Sequence, residues 1–204
     1  GHTLQAIYGE NVAEITPGFE GKAKHVWGLF DTLDIGDLTV KLTYQEQKLY
    51  FGSYQLPNLW QTEPADVEFV ALGTHYDPGQ FFVGAEWANL KIKDMYFGKD
   101  TSAWYVSGGY RFGNLTPYAT VAEQKPKGAP LFGYNTEQRS YALGARWDFM
   151  SKFALKAEYQ YGDLPKNSMG LLDVPMDPIT FLPSPDYKPG ESFNLISVQI
   201  NFVF

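Results

Sequence analysis

Apolar and polar residues alternate with a period of two along most of the chain, and turn-forming residues interrupt the alternation at intervals. The last segment shows it most clearly. Ile196, Val198, Ile200, Phe202 and Phe204 fall on one face, and Ser197, Gln199 and Asn201 fall on the other. A strand of this kind needs an apolar neighbour on one side and water on the other. In 38–45, Leu38, Val40, Leu42 and Tyr44 alternate with Thr39, Lys41, Thr43 and Gln45. The segments 102–112, 139–148 and 153–161 repeat the pattern, and weaker alternation marks 2–8, 24–31, 67–77, 81–94 and 115–124. Faces in 24–31 and 67–77 are ambiguous. The pattern predicts about ten strands of roughly 8–12 residues, the length needed to cross a bilayer at a tilt.

The connections are of two kinds. Asp34–Asp37, Asp77–Gln80, Gly113–Asn114 and Phe149–Lys152 read as tight turns. Segments 9–23, 46–66, 125–137 and 162–192 read as long polar loops, and 162–192 holds six prolines that exclude a long helix or a central strand. Short turns on one side and long loops on the other are the habit of membrane β-barrels. The expectation is a single all-β domain over 1–204, an antiparallel transmembrane β-barrel with 162–192 as a long extracellular loop.

Composition sharpens this. Aromatic residues make up 17% of the chain, a high share that suits strands and membrane interfaces. No stretch is long and apolar enough for a transmembrane helix, which does not bear on strands. Cysteine is absent, so disulfides and thiolate chemistry are unavailable. A net charge of −7 without a basic stripe argues against a nucleic-acid partner. Aromatics cluster at strand ends: Trp104, Tyr141 and Tyr159 toward one rim, and Phe112, Trp147 and Phe153 toward the other, as in two membrane girdles.

The opposite faces carry Lys41, Glu86, Lys91, Arg111, Arg146, Lys156, Glu158 and Gln160. A dry core cannot hold so many charges cheaply, whereas a water-filled lumen can. They are the candidate pore-lining residues, and Arg111, Arg146 and Lys156 would favour anions if they are close together. A second reading fills a narrow interior with ion pairs between the same groups. No catalytic, cofactor or metal motif appears. Of three histidines only His25 lies near the rim where a barrel enzyme would keep its base, with Ser53 in a nearby segment. Asp173, Asp177 and Asp186 lack the spacing of a compact calcium loop. A soluble β-sandwich would invert the faces and leave the two girdles without a purpose.

The terminal strand, with Phe202 and Phe204, resembles the assembly signal of outer-membrane β-barrels. Ala103-Trp104-Tyr105 through Tyr110-Arg111-Phe112-Gly113-Asn114-Leu115-Thr116-Pro117-Tyr118 resembles a strand–turn–strand of proteobacterial porins. Tyr141–Phe149 followed by Ala154–Tyr159 does so too. The resemblance implies the outer membrane of a Gram-negative bacterium and passive diffusion of small hydrophilic solutes and ions. As partners it implies lipid, lipopolysaccharide, the barrel assembly machinery and a homotrimer. General porins have about sixteen strands. The chain therefore reads as the C-terminal part of a larger barrel or as a complete ten-stranded one. An outer-membrane barrel with rim enzymatic activity and a non-conducting structural barrel are the alternatives.

Overall fold

A strand that alternates in polarity can satisfy its backbone N–H and C=O groups only through neighbouring strands, and ten strands here do so in chain order. The computed structural model describes residues 1–16, 19–53, 63–93, 100–128, 135–170 and 188–202. The strands are β1 (His2–Thr16), β2 (Phe19–Ile35), β3 (Leu38–Ser53), β4 (Ala65–Tyr76), β5 (Phe81–Lys93), β6 (Thr101–Tyr110), β7 (Leu115–Pro126), β8 (Gln138–Met150), β9 (Phe153–Asp163) and β10 (Phe193–Phe202). They form one antiparallel sheet in sequential order. The chain divides into two compact units, Gly1–Thr74 with Trp87–Ser102, and His75–Glu86 with Ala103–Phe204.

In the second unit the register fixes both faces. Val198 pairs with Ala157, Ile200 with Leu155 and Phe202 with Phe153. Ala145 pairs with Ala157, Leu143 with Tyr159 and Tyr141 with Tyr161. Leu115, Pro117, Ala119 and Val121 of β7 continue the same face against Trp147, Ala145, Leu143 and Tyr141. Paired residues point the same way, so this is one continuous apolar surface. It stays open to the surroundings: Ile196 is 77% exposed, Val198 67% and Leu143 66%.

The first unit repeats the arrangement. Leu4, Ala6 and Tyr8 of β1 meet Asp31, Leu29 and Trp27 of β2. Those residues in turn meet Leu42, Tyr44 and Glu46 of β3. The other face carries Thr3, Gln5, Thr32, Asp34, Thr39, Lys41, Thr43 and Gln45, with Ile7 and Phe30 packed over Gly28.

The first three strands are longer than the alternation implies. Segments 9–23 and 46–66 were expected as loops, yet β1 continues to Thr16, β2 starts at Phe19 and β3 continues to Ser53. The first connection is therefore short. Ladder hydrogen bonds need no apolar side chains, so pairing runs on past the end of the apolar stripe. The ambiguity of 24–31 has a local cause as well. Lys24 and Trp27 of β2 face Lys48 and Glu46 of β3 across a register shift, and His25 within it has φ 51°. The extra residue of this bulge reverses the parity of β2.

Tight turns close the opposite ends. Gly36 and Gly113 take positive φ at the first central position of two-residue turns, as a type II′ hairpin requires. Glycines also seat aromatic rings on the polar face. Tyr118 lies directly opposite Gly144, and a Cβ there would run into its ring. Phe193 covers Gly162 in the same way. Gly144→Ala is expected to lower stability by about 1–3 kcal/mol through overpacking. Urea unfolding in detergent measures it, and Tyr118→Ala in the same chain should recover most of the loss.

Candidate functional site

The polar face of β7–β10 gathers most of the candidate residues. Strand parity places Thr116, Tyr118 and Thr120 of β7 opposite Arg146, Gly144 and Ala142 of β8. Arg146, Gly144 and Ala142 in turn stand opposite Lys156, Glu158 and Gln160 of β9. Ser197, Gln199 and Asn201 of β10 complete the face. Two cations, Arg146 and Lys156, are direct cross-strand neighbours, which like charges ordinarily avoid. Each is offset by a carboxylate two residues along its own strand. Arg146 donates to Asp148 through Nε at 3.0 Å and Nη2 at 2.7 Å. Lys156 Nζ lies 3.3 Å from Glu158 and 5.1 Å from the centre of the Tyr118 ring. The Tyr118 hydroxyl donates to Glu158 at 2.6 Å. These groups form a charged but nearly balanced surface that only water or polar solute can face without cost.

Arg111 is held apart from that pair. It follows β6 and grips Asp77 in the turn between β4 and β5, with bonds of 2.6 and 2.7 Å to the two carboxylate oxygens. It also donates to the Gly79 carbonyl at 2.9 Å and lies over the Phe82 ring. The guanidinium, followed by the Gly79 N–H, holds the Asp77 carboxyl down at about 2. A bidentate pair of this kind fixes geometry as well as charge. Glu86 shares the parity of Phe82 along β5.

Lys41 lies on the polar face of the first unit, opposite Thr32. Lys91 keeps different company. It donates to Glu68 at 2.7 Å and lines a cleft with Trp27, Glu46 and Lys48. The register puts those three on the apolar side of β2 and β3, past the end of the apolar stripe. Lys91 thus belongs to a charged fringe at the strand ends and not with Lys41.

Aromatic residues border the apolar surfaces. Trp27 donates to Glu46 at 2.9 Å, and Trp104 donates to Glu123 at 3.2 Å. Glu123 also takes Arg139 as a partner. In both units an indole therefore marks the level at which the apolar stripe gives way to charge. Tyr141 and Tyr161 stack with ring centres 6.4 Å apart, and Tyr159 lies on the same face, opposite Leu143. At the turn end, Trp147, Phe149, Phe153 and Phe202 form a chain of ring contacts at 5.4, 6.1 and 6.2 Å. Phe112 packs on Tyr110 at 4.6 Å. Phe204, Asp173, Asp177 and Asp186 lie outside the described residues, as does the side chain of Ser53. His25 meets the Tyr8 hydroxyl at 3.5 Å.

Sequence reasoning missed Tyr118, Asp148 and Asp77. For Asp148 a signal was present, because an Arg–x–Asp spacing on a strand puts both groups on one face. Tyr118 and Asp77 become partners only through cross-strand register and turn geometry, which the sequence does not specify.

A model of the Gram-negative porin family matches residues 1–167. No curated protein matches the sequence. Among solved structures, outer-membrane-expressed OmpT of Vibrio cholerae superposes with a TM-score of 0.56 at 20% identity, covering 95% of this chain and 64% of that one. The trimer form of the same Vibrio cholerae outer-membrane protein gives 0.55 at 20%, with coverage of 95% and 64%. OccK5 (OpdH) of Pseudomonas aeruginosa gives 0.50 at 13%, covering 98% and 55%. The chain thus spans less than two thirds of the length of these structures.

The Arg111–Asp77 clasp makes a prediction about acid. The carboxyl titrates lower in the folded chain than in the unfolded one, so the clasp contributes fully above about pH 4 and fades as pH falls through about 2. The difference in unfolding free energy between the unaltered chain and Asp77→Asn should be flat from neutrality to about pH 4 and shrink below it. Urea midpoints taken across pH measure it, and a difference that does not shrink in acid contradicts the assignment.

Proposed function

The chain belongs to the Gram-negative porin family and to the outer membrane, and from that premise we propose that it lines a water-filled path for passive diffusion of small hydrophilic solutes and ions. The carrying observation is the polar face of β7–β10, where Arg146, Asp148, Lys156, Glu158 and Gln160 are set side by side by the register. In hydrocarbon only closed sheets or helices satisfy their backbone. A sheet with one apolar and one charged face suits closure around water. The apolar faces then meet lipid between the two aromatic borders. From Phe153 to Tyr161, β9 advances eight residues, about 27 Å along the strand. At a tilt of roughly 40° this spans about 20 Å of membrane, close to the apolar band of such proteins.

Cations and carboxylates alternate on the solute side. Arg111, Arg146 and Lys156 each have an acidic partner, Asp77, Asp148 and Glu158. The path therefore discriminates weakly by charge, and no concentrated anion site arises from these three. Segment 162–192 is the long extracellular loop, whose root is folded: Ser168 is fully buried and bridges to Asn135. The protein acts as a channel and not as an enzyme. Among the described residues, His25 has no carboxylate or serine hydrogen-bonded to it. Trimeric assembly is the arrangement of the Vibrio cholerae neighbour, and we extend it to this chain. Lipopolysaccharide and the barrel assembly machinery are its proposed partners in the membrane, the latter reading Phe202 and Phe204.

Planar-bilayer recordings test this reading. The purified chain should give discrete conductance steps with a reversal potential close to neutral in a salt gradient. Arg146→Glu with Lys156→Glu should move that potential toward cation preference. Absence of steps removes the channel reading, and an unchanged potential removes these residues from the path.

A further inference from the structure

Porins meet lipid with a purely apolar band bordered by aromatics, and the β7–β10 face has that form. The β1–β3 face does not. Asp31 lies in the middle of its apolar surface, between Leu4 of β1 and Leu42 of β3. It stands four residues from Trp27 and four from Ile35 along β2, roughly 10 Å of depth from either edge at the usual strand rise and tilt. Its carboxylate accepts from His2 Nε2 at 2.6 Å, and the side chain remains 41% exposed. On the apolar face of β8–β10, from Tyr141 to Phe202, no ionisable acid or base occurs at any depth.

A second contrast is independent of Asp31. The turn end of the β7–β10 face is edged by Trp147, Phe149, Phe153 and Phe202. The same end of the β1–β3 face carries Leu33, Ile35, Leu38 and Val40, with no aromatic side chain. A surface lacking its interfacial ring and holding an acid at mid-depth is poorly matched to lipid.

We infer that the apolar face of β1–β3, centred on Asp31, is covered in the membrane by a second copy of this chain. The inference rests on the membrane-channel reading above. Copies of one outer-membrane protein share orientation and depth, so bands of like height meet. The partner's surface can then supply hydrogen bonds to Asp31 and His2 that acyl chains cannot. Protein contact also removes the need for an interfacial aromatic ring on that side.

The chain has no cysteine, so single probes report cleanly. Leu42→Cys on β3 and Leu143→Cys on β8 are each labelled with bimane and reconstituted in phosphatidylcholine vesicles with and without brominated acyl chains. Particle mass is measured in detergent by light scattering. The inference expects strong quenching at position 143, several-fold weaker quenching at position 42, and a mass of more than one copy. Equal quenching at both positions overturns it, because lipid then covers the face. Weak quenching at 42 in a single-copy particle also overturns it, because something other than a second copy is then the cover. Weak quenching at 143 would mean that the membrane reading itself has failed, and planar-bilayer conductance reports that failure separately.

Discussion

The backbone ladder is the constraint on which everything else depends. A peptide group in hydrocarbon finds no partner except another peptide group. Ten strands in sequential antiparallel order meet that demand without using side chains at all. Side chains are then free to divide by parity, and each strand can present hydrocarbon to one solvent and charge to another. The bulge at His25 shows how sensitive the division is: one extra residue reverses which side chains of β2 face which way.

Given the ladder, the polar face becomes a register-controlled arrangement of charge. Arg146 and Lys156 are neighbours because β8 and β9 pair as they do, and Asp148 and Glu158 temper them because each lies one pleat along the same strand. Tyr118 joins the group because Gly144 leaves room for its ring. The balance of charge matters more for function than any single residue, since a path with paired ions passes both signs. Arg111 spends its charge on holding a turn, through Asp77, rather than on attracting solute.

Much of this was legible in the sequence and some was not. Period-two alternation located all ten strands, because an apolar side and a wet side leave a direct imprint on residue order. Strand ends were misplaced at 9–23 and 46–66, where β1, β2 and β3 run on beyond the apolar stripe and the alternation loses its meaning. Arg146, Lys156, Glu158 and Gln160 were readable as one face because two confident strands carry them. Lys91 was not, since its partner Glu68 is set by pairing between strands whose parity the sequence leaves ambiguous. Asp31 escaped notice for the same reason, with the bulge six residues before it masking the face to which it belongs.

The central claim is that alternate residues of a single strand meet water and lipid. It is tested most directly by cysteine scanning along β10 from Ile196 to Asn201 in reconstituted vesicles, using a charged, membrane-impermeant thiol reagent. The account predicts rapid modification at Ser197, Gln199 and Asn201 and protection at Ile196, Val198 and Ile200. Uniform reactivity, or the opposite alternation, would contradict it.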